Sequence, residues 1–314
     1  MILLMYEPVK AHRQRLQQAA PGHEIAVAHS YEEACKLIEN AEIVLGNRYF
    51  IQSLPFARKL RWMQSNSVGV DIILTEKQQL LEKGVTLTCA RGVYDAELAE
   101  HTLTLLLALF RNVHLLRDEQ RGHSWQRHRL RTLHGSRCLI LGWGSLAQEI
   151  ARLITALGGS VSAVRNRPDD SQEQGIPLYG QQSWQAQLAE TDALVICLPK
   201  TEETRHFVNK NVLNQLPDSA FVVNIGRGGT LDDQALLESV RAGKLAGAAL
   251  DVFEEEPLNA SHPMWAEPRI LITPHVGRSL EGPEYKWQSL FEENLARYSR
   301  GETLLNIVNY EKGY

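Results

Sequence analysis

Long hydrophobic runs are missing from this chain. The longest, LTLLLALF at 103–110, is bounded by His101 and Arg111 and is far too short for a bilayer, which takes about 20 apolar residues. The start, MILLMYEPVK, has no basic n-region and meets Glu7 after six residues, so it reads as a first strand and not as a signal peptide. Cysteine is scarce: Cys35, Cys89, Cys138 and Cys197 lie far apart, with no C-x-x-C pair. Three of them sit in or beside strand-like runs, as buried thiols in a reducing compartment do, and no metal site is expected. Excess charge is missing too. A net charge of −4 gives no general reason to expect nucleic acid or an anionic membrane as partner. One local exception is 111–137, with seven arginines and four histidines, read as a solvated helix end and interdomain connection. The expectation is a soluble, cytoplasmic protein.

What is present is an ordinary globular composition, 44% hydrophobic and 22% charged, over 314 residues. That length is too great for one typical core and points to two domains. The first hundred residues alternate short apolar runs with amphipathic stretches. ILLMY (2–6), EIAVA (24–28), EIVLGN (42–47), RWMQSN (61–66) and VTLTC (85–89) are read as strands, and YEEACKLIEN (31–40) as one of the helices between them. Such βαβ alternation argues for a parallel sheet with helices on its faces. AELAEHTLTLLLALFRNVHLLRDEQ (96–120) reads as one long helix, fit to cross between domains or to pair with a second subunit. A second series follows: RCLILGWG, SVSAVRN, ALVICLP, AFVVNIGRG, LAGAALDVF and RILITPHVG. The stretch 284–308 reads as helix up to Gly301, packing back on the first domain. The expected architecture is α/β, with two doubly wound parallel-sheet domains. Residues 1–97 and 283–314 form the first, and 98–282 form a second inserted into it.

CLILGWGSLAQEIARLI (138–154) has the order that binding a pyrophosphate needs: buried strand, glycine turn, helix. Gly142 permits the tight turn and Gly144 lets a pyrophosphate approach the backbone, where helix N-terminal N–H groups receive it. The third glycine of the G-x-G-x-x-G pattern is replaced by Ala147, a permitted substitute, because that position serves helix–strand packing. The stretch is therefore read as a dinucleotide site.

Residues 192–232, AGAALDVFEEEPL (246–258) and ILITPHVGRS (270–279) resemble the D-isomer-specific 2-hydroxyacid dehydrogenases. GVYDAELAEHTLTLLLAL (92–109) and the terminal LLNIVNYEKGY resemble them as well. The resemblance runs over nearly the whole chain. It implies flavodoxin-like and Rossmann-like domains, a cleft between them, and usually a homodimer built on the 96–120 helix. Position by position, it implies Arg227 as the catalytic arginine, Glu256 as the acid and His275 as the histidine. Glu254 and Glu255 are adjacent, but the register of glutamate before proline favours Glu256. The chemistry supports these types independently. A 2-oxo acid presents a carboxylate beside a ketone, which a forked guanidinium engages through both oxygens. The ketone needs a proton as hydride arrives, and a histidine titrates near neutrality. A carboxylate behind a histidine orients the ring and favours the charged form.

By the same resemblance, the backbone of Val68 and Gly69 in SNSVGVD (65–71) receives the substrate carboxylate, although Ser67 stands where the family often has glycine. Ser145 and Leu146 face the pyrophosphate; Leu198, Pro199 and Thr204 flank the ribose and adenine. Gly277 lies on the coenzyme side. Asp251 resembles the nicotinamide-amide acceptor, though a strand-end Asp equally caps the following turn. In this family position 165, at the end of the strand after the phosphate loop, meets the adenosine ribose, where an NAD enzyme usually has Asp. Here Arg165 stands there with Asn166 and Arg167 beside it, and two guanidinium groups bind a 2′-phosphate where an aspartate would repel it. The expected cofactor is NADP(H), with NAD(H) the weaker alternative. The expected activity is reduction of a small 2-oxo acid, such as glyoxylate or hydroxypyruvate, to the D-2-hydroxy acid. The rival reading is a non-enzymatic NAD(P)(H)-sensing module, since fold alone does not establish catalysis.

Overall fold

The structure is a computed structural model that describes residues 1–167, 169–278 and 286–314. The chain divides into two compact units, Met1–Tyr94 with Leu280–Tyr314, and Asp95–Ser279. The second unit opens with a helix at Asp95, so the boundary expected at 97/98 falls inside that helix. The boundary expected at 282/283 lies outside the described residues.

The first unit carries strands β1 (Ile2–Leu4), β2 (Ile25–Val27), β3 (Ile43–Leu45), β4 (Trp62–Gln64) and β5 (Thr86–Thr88). Its helices before the crossing are α1 (Lys10–Ala19), α2 (Tyr31–Leu37), α3 (Phe50–Ser53) and α4 (Lys77–Glu82). The strands pair in parallel in the order β2-β1-β3-β4-β5, which is the flavodoxin-like doubly wound order. Leu3, Val44, Met63 and Leu87 fill one face, and Ile2, Leu4, Ile43 and Trp62 are equally buried on the other. Burial on both faces is why these strands read as continuous apolar runs. The observed strands are shorter than the runs quoted from the sequence, because the flanking residues turn into loops. The final helix of the chain, Trp287–Arg300, ends at Gly301 with φ 69°. It packs on α1, where Glu292 bonds His12 at 2.6 Å and Arg15 at 2.8 Å.

The second unit starts with α5 (Asp95–Phe110) and α6 (Val113–Arg121). These two correct the expectation of one helix over 96–120. Asn112 takes a left-handed conformation, φ 52°, and the helix stops and restarts there. Asparagine tolerates that conformation better than most residues, and the apolar spacing on both sides masks the break. Then follow β6 (Arg137–Leu141), α7 (Ser145–Ala156), β7 (Ser160–Val164), β8 (Ser171–Glu173), β9 (Ile176–Tyr179) and β10 (Ala193–Ile196). The rest are α8 (Lys210–Leu213), β11 (Phe221–Asn224), α9 (Asp233–Arg241), β12 (Gly247–Leu250) and β13 (Ile270–Ile272); the chain's final helix is α10. The sheet order is β13-β12-β11-β10-β6-β7-β9-β8. Leu139, Leu141, Leu194 and Ile196 enter one hydrophobic cluster, while Cys138, Ile140, Ala193 and Val195 enter another. The alternation shows that this sheet too is covered on both faces.

The β8–β9 hairpin is absent from the sequence reading. Gln174 and Gly175 both have positive φ, 53° and 80°, which is the two-residue turn that matches strand twist. Gln-Gly is a weaker signal for that turn than Asn-Gly, and β8 (SQE) has no apolar residue to mark it. The strand pairs antiparallel to β9 at the sheet edge. Among the arginine-rich residues 111–137, Arg131 is a packing residue. Its guanidinium lies over Phe110 and Phe221 and bonds Asp192 at 2.5 Å. All four cysteines are free, and burial pushes the thiols of Cys138 and Cys197 up to about 12, which leaves them inert. Among the described residues no helix is long and apolar enough to cross a membrane.

Candidate active site

The carboxyl ends of β6, β10, β11, β12 and β13 stand side by side, and every candidate residue of this unit except the ribose-end group follows one of them. The sheet order reverses between β6 and β10, the place where open α/β sheets bind ligands. Gly142 ends β6 with φ +99°, and a methyl group there would lie 2.9 Å from the Cys197 carbonyl oxygen. Only glycine fits that turn. Gly144 is different: a methyl there would meet no atom of the described residues within 4 Å. Among the described residues, open space lies over the backbone where α7 begins and no side chain caps the helix, so its first N–H groups are available to an anion. Ser145 is exposed and Leu146 half-buried beside it, while Ala147 is buried 1% exposed against the strands. These features fit a dinucleotide pyrophosphate.

Arg227 is held in a tight loop after β11. The Asn224 side chain accepts from Gly226 N–H at 3.2 Å and donates to the Arg227 carbonyl at 3.3 Å; Thr230 Oγ1 donates to the same carbonyl at 2.7 Å. The guanidinium itself donates to Gly226 O at 2.8 Å. Gly228 presses this loop against the next one, since a methyl there would sit 1.6 Å from the Phe253 carbonyl oxygen. In that next loop Glu256 accepts from Phe253 N–H at 2.9 Å with one oxygen and reaches His275 Nδ1 at 2.7 Å with the other. Of the three adjacent glutamates it is therefore Glu256 that meets the histidine. Glu254 turns away toward His206, 3.1 Å, while its own N–H is accepted by Asp233 of α9 at 3.2 Å. Burial, with Glu254 nearby, pushes the Asp233 carboxyl up to about 6.

His275 sits after β13 with φ 52°, a conformation uncommon for a non-glycine residue and concentrated at functional sites. With Nδ1 held by Glu256, the ring presents Nε2, which has no protein partner among the described residues. The His275 side chain is 51% exposed. A proton held at Nε2, with a guanidinium on the adjoining loop, is the equipment for protonating a carbonyl beside a carboxylate.

Asp251, the residue after β12, is 2% exposed. Its Oδ1 accepts from Thr273 Oγ1 at 2.6 Å and Val276 N–H at 3.0 Å, and its Oδ2 from Gly277 N–H at 3.1 Å. Burial alone would push this carboxyl up, but bonds from His101, Thr273 and Val276 N–H outweigh it and hold it below its usual range. The carboxylate thus caps the turn that follows β13, the alternative role weighed for a strand-end Asp. Gly277 is buried under α5.

At the ribose end, Arg165 is half-buried and already engaged: it donates to Ser171 Oγ at 2.6 Å, and Glu173 lies 3.8 Å away. Asn166 and Arg167 are exposed; Asn166 Oδ1 accepts from Gln181. Leu198 and Pro199 are half-exposed after β10, and Gly226 packs on Leu198. The Thr204 hydroxyl closes its own loop, donating to Pro199 O at 2.7 Å and accepting from Thr201 N–H at 2.8 Å, so it offers a ligand little. Val68 and Gly69 belong to the first unit. Their loop is pinned by Asn47, which bonds Ser67 Oγ at 2.9 Å, and by Ala90 N–H to Ser67 O at 2.9 Å. Neither the Val68 nor the Gly69 N–H has a protein acceptor among the described residues. Sequence reasoning missed Ser171, Glu173, Asn224 and His101. Only the strand-end position of Asn224, directly before IGRGG, offered a signal.

A family model described as D-isomer specific 2-hydroxyacid dehydrogenase, NAD binding domain, matches residues 103–277. A glyoxylate reductase of Aeropyrum pernix is 33% identical over 280 residues, 85% of this chain and 82% of that protein. A D-isomer specific 2-hydroxyacid dehydrogenase family protein of Aeromonas salmonicida superposes with a TM-score of 0.85 at 31% identity, covering 98% of both chains. An NADPH-dependent glyoxylate/hydroxypyruvate reductase of Sinorhizobium meliloti, solved with NADP and sulfate, gives 0.85 at 25% identity over 100% of this chain and 99% of that one.

Proposed function

The chain belongs to the D-isomer-specific 2-hydroxyacid dehydrogenase family, and from that premise we propose that it reduces a small 2-oxo acid to the D-2-hydroxy acid with NADPH. The substrate class is that of glyoxylate and hydroxypyruvate, the acids named for the Aeropyrum and Sinorhizobium relatives. The observation that carries the reading is the 2.7 Å bond between His275 and Glu256, beside the Arg227 loop. In this reading the Arg227 guanidinium binds the substrate carboxylate and fixes the ketone's orientation. His275 holds a proton at Nε2 and delivers it to the ketone oxygen. Glu256 keeps the ring in place and its Nδ1 occupied. A nicotinamide coenzyme, when bound, would supply the hydride. Gly142, Gly144, Ser145 and the first turn of α7 would hold its pyrophosphate.

Arg165 and Arg167 support the choice of NADPH, since both can donate to a 2′-phosphate. NAD(H) is the weaker coenzyme. The reading includes a homodimer built on the 96–120 region: α6 buries none of its residues, and Trp125 just beyond it is 93% exposed. It also includes a cytoplasmic location, in keeping with four unpaired cysteines. The test is oxidation of NADPH, and separately of NADH, on adding glyoxylate, hydroxypyruvate or phenylpyruvate. Turnover with at least one acid, faster with NADPH, is expected. No turnover with any of them would overturn the reading and favour a coenzyme-sensing module.

A further inference from the structure

The geometry points to His101 as a positioning residue for His275, acting with Thr273 through Asp251; the inference rests on His275 being the proton donor proposed above. His275 has a left-handed backbone, and such a conformation persists only where its surroundings over-determine it. One residue supplies most of that constraint. The Asp251 carbonyl accepts from His275 N–H at 2.9 Å, and the Asp251 carboxylate takes Thr273 Oγ1, Val276 N–H and Gly277 N–H. The segment from 273 to 277 is thereby clamped on both sides of the histidine.

The clamp depends on a buried carboxylate, and a buried carboxylate needs partners to stay charged. His101, from α5, reaches it as a donor, with Nε2 3.3 Å from Asp251 Oδ1 and 3.2 Å from Thr273 Oγ1. The Thr273 hydroxyl gives its proton to Asp251, so toward His101 it is an acceptor. Both neighbours of Nε2 accept, and the proton of the ring therefore sits on Nε2. α5 also backs the loop directly. A methyl on Gly277 would lie 2.8 Å from Leu98 Cδ2 and 3.3 Å from His101 Cδ2. His101 thus ties the helix that opens the second unit to the loop of the proton donor, while its own side chain is only 18% exposed.

The experiment compares His101→Leu with His101→Gln, whose amide nitrogen replaces Nε2, and Thr273→Val with Thr273→Ser. His101→Leu and Thr273→Val should each lower kcat roughly tenfold, the scale of one hydrogen bond to a charged group. KM for coenzyme and 2-oxo acid should stay within about twofold. His101→Gln and Thr273→Ser should recover most of the loss. Hydrogen–deuterium exchange of a peptide spanning 273–278 is measured on the same proteins. It should speed up in His101→Leu and return toward wild type in His101→Gln. Unchanged kcat in His101→Leu, equal loss in Leu and Gln variants, or a loss seen only in coenzyme KM would each overturn the inference. If the wild type turns over no 2-oxo acid, the function proposed above fails. The exchange arm then decides the positioning by itself, unaltered exchange in His101→Leu refuting it.

Discussion

At the scale of the residue, the proposed site depends on geometry that a charge-conserving change would destroy. Arg227 is proposed to grip the substrate carboxylate with a fork, so Arg227→Lys would keep the charge but lose the two-point contact. A fall in kcat/KM of at least about tenfold is expected, and steady-state kinetics showing near-complete rescue by lysine would remove the clamp. Asp233 offers a measurement of another kind. Its carboxyl titrates at about 6 in the folded chain, raised from 3.8 chiefly by burial. The folded state therefore holds that proton more tightly than the unfolded one. The resulting stabilisation is complete at low pH and is lost as pH rises through about 6. Asp233→Asn keeps an acceptor for Glu254 N–H and removes the titration. Thermal melts between pH 4 and 8 should show the variant gaining on wild type as pH rises and holding a higher Tm above pH 6. A constant difference across that range would contradict the assignment. The three proposed catalytic residues, Arg227, Glu256 and His275, stand out in the sequence because each follows a strand end in a short, glycine- or proline-marked loop. Asn224 offered only its strand-end position, since its role lies in bonds to the backbone two and three residues on, and His101 offered nothing, since its contacts lie about 150–170 positions away.

At the scale of the element, hydrophobic patterning located the strands of both sheets except one edge hairpin. Buried parallel strands such as LVI and FVVN announce themselves; β8, with Ser, Gln and Glu, does not. Its position matters, because Ser171 and Glu173 flank Arg165. Glu173 adds a negative charge beside the residue proposed to bind a 2′-phosphate. Glu173→Gln should therefore raise the ratio of kcat/KM for NADPH over NADH, and Arg165→Asp should lower it, in most part through coenzyme KM. A ratio moved by neither substitution would place the 2′-phosphate elsewhere. The break at Asn112 was hidden for the opposite reason, since a single left-handed residue leaves apolar periodicity intact. It separates a helix packed in the core, α5, from one whose residues are at most half-buried, α6.

At the scale of the whole molecule, chain length indicated two domains, and the chain divides into two units with a helix-flanked sheet in each. What composition did not carry is assembly. The partly exposed α6 and the exposed Trp125 are proposed to meet a second copy, so light scattering of the wild type should give twice the 35.4 kDa chain mass. Trp125→Glu should shift that equilibrium toward monomer; a wild type that is monomeric at all concentrations would end the dimer proposal.

The central claim is that His275 delivers the proton in a 2-oxo acid reduction. Its most direct measurement sets wild type beside His275→Ala, taking kcat for NADPH-dependent reduction of hydroxypyruvate and the Kd of NADPH from the same preparations. The account predicts a wild type that turns over, and a variant whose kcat is lower by roughly 10²–10⁴ with an unchanged coenzyme Kd. A variant that retains near-normal kcat would contradict it.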